Sequence, residues 1–159
     1  MIKVGIADYK ITTNTNYLIT YGLGSCVAVA IYDQEKKLAG MLHIMLPMQT
    51  IKREKVNLLK YVDPGIQLML EEMLIQGVNR KRLKAKIAGG AKMFSFSSNK
   101  EINSNIGEKN IEAVKRNLQE LLIPLVAEDT GQNYGRTVEF YPENGDMKIK
   151  SLHYGVKII

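Results

Sequence analysis

The only cysteine of the chain, Cys26, directly follows the loop sequence "GLGS" and begins an apolar run. A thiol there is either core filling, because free cysteines are among the most buried residues, or a nucleophile, which needs a base or a cation that favours its thiolate. The sequence has two histidines, and one of them, His43, lies inside the next apolar run. A core histidine satisfied by the backbone is the alternative to a base. Cys26 and His43 are therefore the candidates for a nucleophile and its general base.

The spacing predicts that these two residues meet across a β-hairpin. The apolar, β-rich runs "SCVAVAIYD" and "LAGMLHIMLP" are joined by the charged segment "DQEKK", which is typical of a hairpin loop. If Tyr32 pairs with Lys37, Cys26 lies directly opposite His43 on the same face, with their Cβ atoms about 4.5–5.5 Å apart. A shift of one residue would send His43 to the other face.

The residues before the thiol give a second reason to consider a nucleophile. Gly22 and Gly24 allow positive φ and close backbone approach, so a tight loop with Ser25 would aim amide N–H groups at an oxyanion, as acyl transfer requires. A plain turn between two strands is the alternative. A third group usually orients the base. Thr20 is the nearest candidate in sequence, although threonine is common in strands for packing reasons alone.

Other chemistries have little support in the sequence. One cysteine and two distant histidines give no pair of ligands at zinc-site spacing, so we expect no metal. Neither "GLGSC" nor "IAGGAK" matches a phosphate-binding loop, and no other cofactor is indicated. His153, the second histidine, is predicted to be a solvated surface residue.

The composition is that of a globular protein. A chain of 159 residues, 45% of them hydrophobic and 24% charged, suggests a single domain over residues 1–159 with a real core. One cysteine excludes an internal disulfide and fits a reducing compartment. No apolar run approaches the ~20 residues that span a bilayer, and the N-terminal "MIKVGIADYK" lacks the apolar region of a signal peptide. We expect a cytoplasmic protein that does not insert into a membrane.

The formal net charge of +6 indicates either an acidic partner or a solvated basic face. Nucleic acid is not favoured as that partner. The basic clusters "IKREK" and "NRKRLKAK" contain no interleaved aromatic residues, and no nucleic-acid-binding motif occurs. An acidic protein surface and an anionic membrane surface remain compatible with the charge.

The strand pattern predicts an α+β domain. Short strands are predicted at "KVGIADYKIT" and "NYLITYG", and the hairpin strands that follow are apolar enough to be covered on both faces. Leu83–Ile87 and "IPLVAEDTG" predict two further strands, and "GRTVEFY" and "DMKIKSLHY" form a hairpin through Asn144-Gly145. The order of elements is strands, helix, strand, helix, strands, which favours an α+β domain with mostly antiparallel sheet.

Two amphipathic helices are predicted. The first has Asp63 as N-cap, Pro64 at its first position and Gly77 as its stop. The second covers about residues 107–122. The apolar positions are Ile66, Met69, Leu70, Met73 and Leu74 in the first helix, and Ile111, Val114, Leu118, Leu121 and Leu122 in the second. The segments "MQTIKREKVNLLKYV" and "SFSSNKEINSN" are predicted to be polar loops.

Six segments together resemble the chemoreceptor glutamine deamidase family CheD: "TYGLGSCVAV", "GMLHIMLP", "KYVD", "KIAGGAKMF", "NIGEKNIEAVK" and "AEDTGQN". They run in order from about Lys3 to Ser151, which is nearly the whole chain. The combination of "GLGSC", "HIMLP" and "AGGAKMF" is far more specific than any one of them. Between Pro47 and Tyr61 the sequence departs from the family, which often carries a glycine-rich or serine-rich loop there.

The resemblance implies a specific activity. Members of the family hydrolyse selected glutamine side chains on methyl-accepting chemotaxis receptors to glutamate and ammonia, and their catalytic cysteine, histidine and threonine fall on Cys26, His43 and Thr20. They also bind CheC, a phosphatase of the chemotaxis response regulator. The implied fold is similar to a cytotoxic necrotizing toxin deamidase domain, with packed mixed or antiparallel sheets flanked by helices in α/β/β/α-like layers.

The expected mechanism uses a cysteine thioester. His43 takes the proton of Cys26 to give a thiolate–imidazolium pair, and the thiolate attacks the glutamine carbonyl. Two other functions stay open at this point. One is a non-enzymatic regulator that docks on receptors or on a CheC-like phosphatase. The other is a different thiol hydrolase, such as a peptidase or a small-molecule amidase.

Overall fold

The computed structural model describes residues 1–49, 56–93 and 105–159. In these ranges the chain forms two α-helices, α1 (Val62–Ile75) and α2 (Ile106–Glu120), and short 3₁₀ turns at Leu58–Lys60 and Arg80–Arg82. The strands are β1 (Ile2–Lys3), β2 (Tyr9–Thr13), β3 (Leu18–Leu23), β4 (Val27–Asp33), β5 (Leu38–Ile44), β6 (Lys84–Gly89), β7 (Leu125–Thr130), β8 (Arg136–Tyr141), β9 (Asp146–Ser151) and β10 (Gly155–Ile158).

The described strands form two five-stranded sheets. Sheet A has the order β1-β3-β8-β9-β10, and sheet B has the order β2-β5-β4-β6-β7. Two pairings are parallel, β1 with β3 and β6 with β7, and the other pairings are antiparallel. The α+β class with mostly antiparallel sheet is therefore confirmed.

Sheet B lies in the middle of the molecule. One of its faces packs against α1 and α2 in the larger apolar cluster, and the other face packs against sheet A. Both described helices contact sheet B, so the described layers are helices, sheet B and sheet A. Every residue of β4 and β5 is buried, which confirms that both faces of this hairpin are covered. The likeness to the toxin deamidase domain stays a prediction.

The register of the β4–β5 hairpin differs from the predicted one by two residues. Asp33 pairs with Leu38, and His43 pairs with Ala28. The predicted pairing with Lys37 fails because Lys37 belongs to the turn, where it has a φ of 51°. A two-residue shift keeps the face of every side chain, because strand side chains alternate with period two.

The helix predictions hold except at the ends. α1 begins at Val62 with Tyr61 as its N-cap, so the predicted cap Asp63 lies inside the first turn. Gly77, with a φ of +86°, follows the end of α1 as predicted. In α2 the predicted stripe fails at Leu122, which is 87% exposed. That residue lies beyond the helix end with a φ of 58°, where the chain turns toward β7.

The remaining predictions concern the N-terminal strand, the C-terminal hairpin and the two polar loops. The predicted N-terminal strand "KVGIADYKIT" is two strands, β1 and β2, which belong to different sheets. The second predicted hairpin is confirmed, whereas the edge strand β10 was not predicted. Parts of both predicted polar loops, residues 50–55 and 94–104, lie outside the described residues. Among the described helices, none is long and apolar enough to cross a membrane.

Candidate active site

Thr20 and His43 meet across the interface between the two sheets. Thr20 lies on β3 of sheet A and His43 on β5 of sheet B, and the side chains of both are fully buried. A distance of 2.8 Å separates Thr20 Oγ1 from His43 Nδ1. The Thr20 hydroxyl also donates to the backbone carbonyl of Val4 at 2.9 Å. The residue that sequence spacing alone did not favour is therefore in direct contact with the candidate base.

These two contacts fix the tautomer of the imidazole. A hydroxyl group has one hydrogen, and Thr20 gives it to the carbonyl of Val4, so toward His43 it acts as the acceptor. His43 therefore carries its hydrogen on Nδ1, and its Nε2 is an unprotonated acceptor. Nε2 is buried and has no hydrogen-bond partner within the described ranges. The ring is thus oriented as a general base whose lone pair is uncommitted.

The backbone around His43 is held on both sides of its strand. Its amide donates to the carbonyl of Asp8 at 3.0 Å, and its carbonyl accepts from the amide of Ala7 at 2.9 Å. Its pairing with Ala28 fixes the other edge. The imidazole therefore has little freedom to move relative to sheet B.

Cys26 lies just before β4, on the same sheet face as Ala28 and His43. It is half-buried and packs at the margin of the apolar cluster between the sheets. Since Ala28 is the residue directly opposite His43, Cys26 is displaced diagonally, a relation that separates side-chain positions by about 7–8 Å. Within the described part of the chain no hydrogen bond reaches His43 Nε2, so the thiol and the imidazole are not a hydrogen-bonded pair in this structure.

The loop before the nucleophile is fixed through its carbonyl groups. The carbonyl of Gly24 accepts from the amide of Ala91, and that of Cys26 accepts from the amide of Gly90, each at 2.8 Å. A Cβ at Gly89, where φ is +114°, would collide with the carbonyl of Cys26. The segment after β6 therefore needs its glycines in order to approach the loop this closely.

The third carbonyl of the loop is held by a side chain that the sequence analysis did not identify. Asn110 of α2 donates through Nδ2 to the carbonyls of Ser25 and Met45, both at 2.9 Å. Asn110 is fully buried. It lies four residues before Val114 and eight before Leu118, on the predicted apolar stripe of the helix. A polar amide among the apolar residues of that stripe is the feature of the sequence that indicates a buried hydrogen-bonding role.

The two glycines predicted for the loop differ in what they do. Gly22 has a φ of +67° at the bulge between β3 and β8, as its prediction requires, and lies at the edge of a surface depression of about 580 Å³. Gly24 does not have the positive φ predicted for it, and the predicted close approach involves a side chain, because a Cβ there would come within 3.2 Å of Met93 Cγ. His153 is exposed at the surface, as predicted.

Burial controls the protonation of both candidate groups. Burial raises the pKa of the Cys26 thiol, and a hydrogen bond from its own backbone amide partly opposes that rise. Burial lowers the pKa of His43 to about 4. Near neutral pH the site therefore contains a neutral thiol and a neutral imidazole, in contrast to the expected ion pair. Among the described residues no group of three or more His, Cys, Asp or Glu side chains could hold a metal ion.

Comparison with known proteins gives consistent matches. A family model described as "CheD chemotactic sensory transduction" matches residues 45–151. The "Probable chemoreceptor glutamine deamidase CheD" of Caldanaerobacter subterraneus subsp. tengcongensis is 51% identical, covering 100% of this chain and 98% of the relative. The "Chemoreceptor glutamine deamidase CheD" of Halalkalibacterium halodurans is 48% identical, with 100% and 98% covered. The Bacillus licheniformis protein of that name is 42% identical, with 100% and 95% covered.

Proposed function

The chain belongs to the CheD family, and on that premise we propose that it hydrolyses glutamine side chains of chemotaxis receptors to glutamate and ammonia. The observation that carries this proposal is the geometry of His43. The imidazole is buried and neutral, its Nδ1–H is engaged by Thr20, and its Nε2 has no hydrogen-bond partner among the described residues, on the sheet face that also carries Cys26. Such a ring can accept a proton and return it, as amide hydrolysis requires.

The proton transfer accompanies the attack in this mechanism. Because the thiol and the imidazole are both neutral at rest, Cys26 Sγ–H gives its proton to His43 Nε2 as sulfur attacks the carbonyl carbon of the glutamine amide. The imidazolium then protonates the leaving nitrogen, and the C–N bond breaks to release ammonia and leave a thioester. A water molecule, deprotonated by Nε2, hydrolyses the thioester to glutamate and restores the thiol. Thr20 accepts from Nδ1–H throughout.

The loop of Gly22, Gly24 and Ser25 supplies the oxyanion site in this proposal. Donors from other segments fix the carbonyls of Gly24, Ser25 and Cys26, which also fixes the directions of the peptide amides between them. A preorganised donor is effective because it does not have to reorient during the reaction, and removal of one typically costs about 3–4 kcal/mol of transition-state stabilisation. Gly22 provides the positive-φ bend that starts the loop.

The biological setting of the proposal comes from the resemblance. We place the reaction in the cytoplasm, where new glutamates on receptors become methylation sites and support chemotactic adaptation, with CheC as a binding partner. The net charge of +6 would speed encounter with carboxylate-rich receptor helices. Raising the salt concentration should therefore lower kcat/KM, and a value that does not change with salt would contradict this steering.

The direct test is mass spectrometry of a receptor cytoplasmic fragment after incubation with the wild type or with Cys26→Ala. The proposal predicts conversion of selected glutamines to glutamates and release of ammonia with the wild type only. Binding of the fragment without any mass change would favour a non-enzymatic regulator. Cleaved peptide bonds would favour a different thiol hydrolase. Both of these results would overturn the proposal.

A further inference from the structure

The β4–β5 ladder ends one residue after Cys26, the candidate nucleophile. The last pair of the ladder on this side is Val27 with Ile44. Beyond that pair the amide of Met45 donates to the backbone carbonyl of Lys60 at 3.0 Å, and the carbonyl of Cys26 accepts from the backbone amide of Gly90. Cys26 and Met45 therefore pair with other segments and not with each other, so the ladder does not set the distance between these two residues.

Asn110 spans this opening. Its Nδ2 group donates one hydrogen to the carbonyl of Ser25, the residue before Cys26, and one to the carbonyl of Met45, two residues after His43. Both distances are 2.9 Å, and the side chain is fully buried. One amide group thus ties the residue before the thiol to the end of β5, two residues beyond the imidazole that the ladder itself holds.

The acceptors establish which way the amide of Asn110 points. Both contacted atoms are carbonyl oxygens, which cannot donate, so a flipped amide would place Oδ1 against two acceptors. The observed orientation leaves Oδ1 buried and without a hydrogen-bond partner in the part of the chain that the structure describes. A buried acceptor that lacks a partner costs free energy of folding. Val114 and Leu118, which are buried on the same helix face, have no polar side-chain atoms and therefore carry no such cost.

We infer that Asn110 is a positioning residue for the deamidation, which sets the separation of Cys26 Sγ and His43 Nε2 by holding the carbonyls of Ser25 and Met45. This inference rests on the proposed function. Asn110 does not touch the reacting atoms and acts through the backbone of both strand ends. Because a misplacement of about 1 Å can cost about 100-fold in rate, loss of the two donors should lower kcat and leave KM nearly unchanged.

A pair of asparagines on α2 provides a matched experiment. Asn117 lies two turns after Asn110, is 7% exposed and also has an Oδ1 without a hydrogen-bond partner in the described part of the chain. We would prepare Asn110→Leu and Asn117→Leu, which keep a γ-branched side chain and remove the amide. For each variant we would measure kcat and KM for ammonia release from a receptor fragment, the melting temperature, and the rate constant for alkylation of the only thiol by iodoacetamide.

Asn110→Leu should lower kcat by about 10- to 100-fold and slow alkylation severalfold. Its melting temperature should fall below that of Asn117→Leu, because it leaves the carbonyls of Ser25 and Met45 without their donor, so the rates are compared well below both melting temperatures. Asn117→Leu should keep kcat and the alkylation rate within about twofold of the wild type. A normal kcat in Asn110→Leu, or an equal loss in both variants, would overturn the inference. If the wild type itself releases no ammonia, the proposed deamidation fails. The alkylation rates still test the positioning in that case, and equal rates in the two variants would refute it.

Discussion

The two ends of the β4–β5 hairpin bury polar side chains in opposite ways. At the turn end the carboxylate of Asp33 is fully buried and accepts hydrogen bonds from the Arg82 guanidinium, the closest at 2.8 Å, and from two backbone amides. At the open end His43 is equally buried, but among the residues that the structure describes only its Nδ1 has a partner, Thr20. Within the described ranges, one end satisfies a buried charge completely, and the other leaves the lone pair of a neutral ring without a partner.

The protonation of the two groups follows from this difference. Burial raises the pKa of Asp33, but the hydrogen bonds from Arg82 and the two amides outweigh burial and lower that pKa to about 2. At His43 burial has no such opposition, and it lowers the pKa to about 4. Complete satisfaction serves stability, whereas an unsatisfied buried acceptor costs stability and is available for chemistry. The stabilising carboxylate of Asp33 and the candidate base His43 thus lie at opposite ends of the same hairpin.

The largest effect should come from removing the nucleophile. Cys26→Ala should abolish ammonia release and leave the fold intact, because Cys26 is half-buried at the core margin and alanine fits its site. Steady-state ammonia assays and circular dichroism melting would measure both quantities. Stoichiometric alkylation of this thiol should have the same effect on activity. Full activity in Cys26→Ala would refute the assignment of the nucleophile.

Removing the base should have the next largest effect and should separate the two hairpin ends directly. We expect His43→Ala to lower kcat by about 10²- to 10⁴-fold, the range of a lost general base. Asp33→Asn, at the turn end of the same hairpin, should leave kcat unchanged although it lowers stability. Equal losses of kcat in the two variants would show that general destabilisation accounts for the effect.

The shared face of Cys26 and His43 could be predicted because of the period of a strand. The predicted register is wrong by two residues, but a two-residue error leaves each side chain on its face. The distance between them could not be predicted, since it depends on where the ladder opens. That opening depends on Lys60 and Gly90, which are remote in sequence and take the partners that the ladder would use.

Contacts between elements were beyond what spacing alone could predict. Thr20 reaches His43 from the other sheet, so its role came from the family resemblance and no local pattern pointed to the contact. The role of Asn110 cannot be predicted from its helix, because its partners, the carbonyls of Ser25 and Met45, belong to other elements. The apolar spacing continues to Leu122, past the last helical turn, so spacing alone places that residue on the stripe although its φ of 58° lies outside the helix.

A smaller effect should follow from changing the residue that orients the base. Thr20→Val keeps the shape and removes both the acceptor for His43 Nδ1 and the donor to the carbonyl of Val4. We expect kcat to fall by about 10- to 100-fold, as for other groups that hold a reacting residue in place. Thr20→Ser retains the hydroxyl and should restore most of kcat. Equal activity in the valine and serine variants would show that the hydroxyl does not orient the imidazole.

The smallest effect concerns stability at acid pH and compares the two hairpin ends in one titration. The pKa of Asp33 is about 2 in the folded protein and about 4 in an unfolded chain. Its contribution to the free energy of unfolding is therefore fully present above pH ~4 and is lost as the pH falls toward ~2. Since Arg82 is 34% exposed and solvent screens the pair, we expect this contribution to be about 1–2 kcal/mol.

Denaturant unfolding of the wild type and Asp33→Asn between pH 7 and pH 2 would measure the Asp33 contribution. The two stability curves should lie parallel above pH ~4 and converge below it. His43→Ala provides the control, because the pKa of His43 falls from about 6.5 in an unfolded chain to about 4 on folding. The wild type should therefore lose stability between these two values as the pH falls, and His43→Ala should not. Parallel curves for wild type and Asp33→Asn down to pH 2 would mean that the Asp33 charge does not stabilise the turn end, and the contrast between the two ends would then rest on His43 alone.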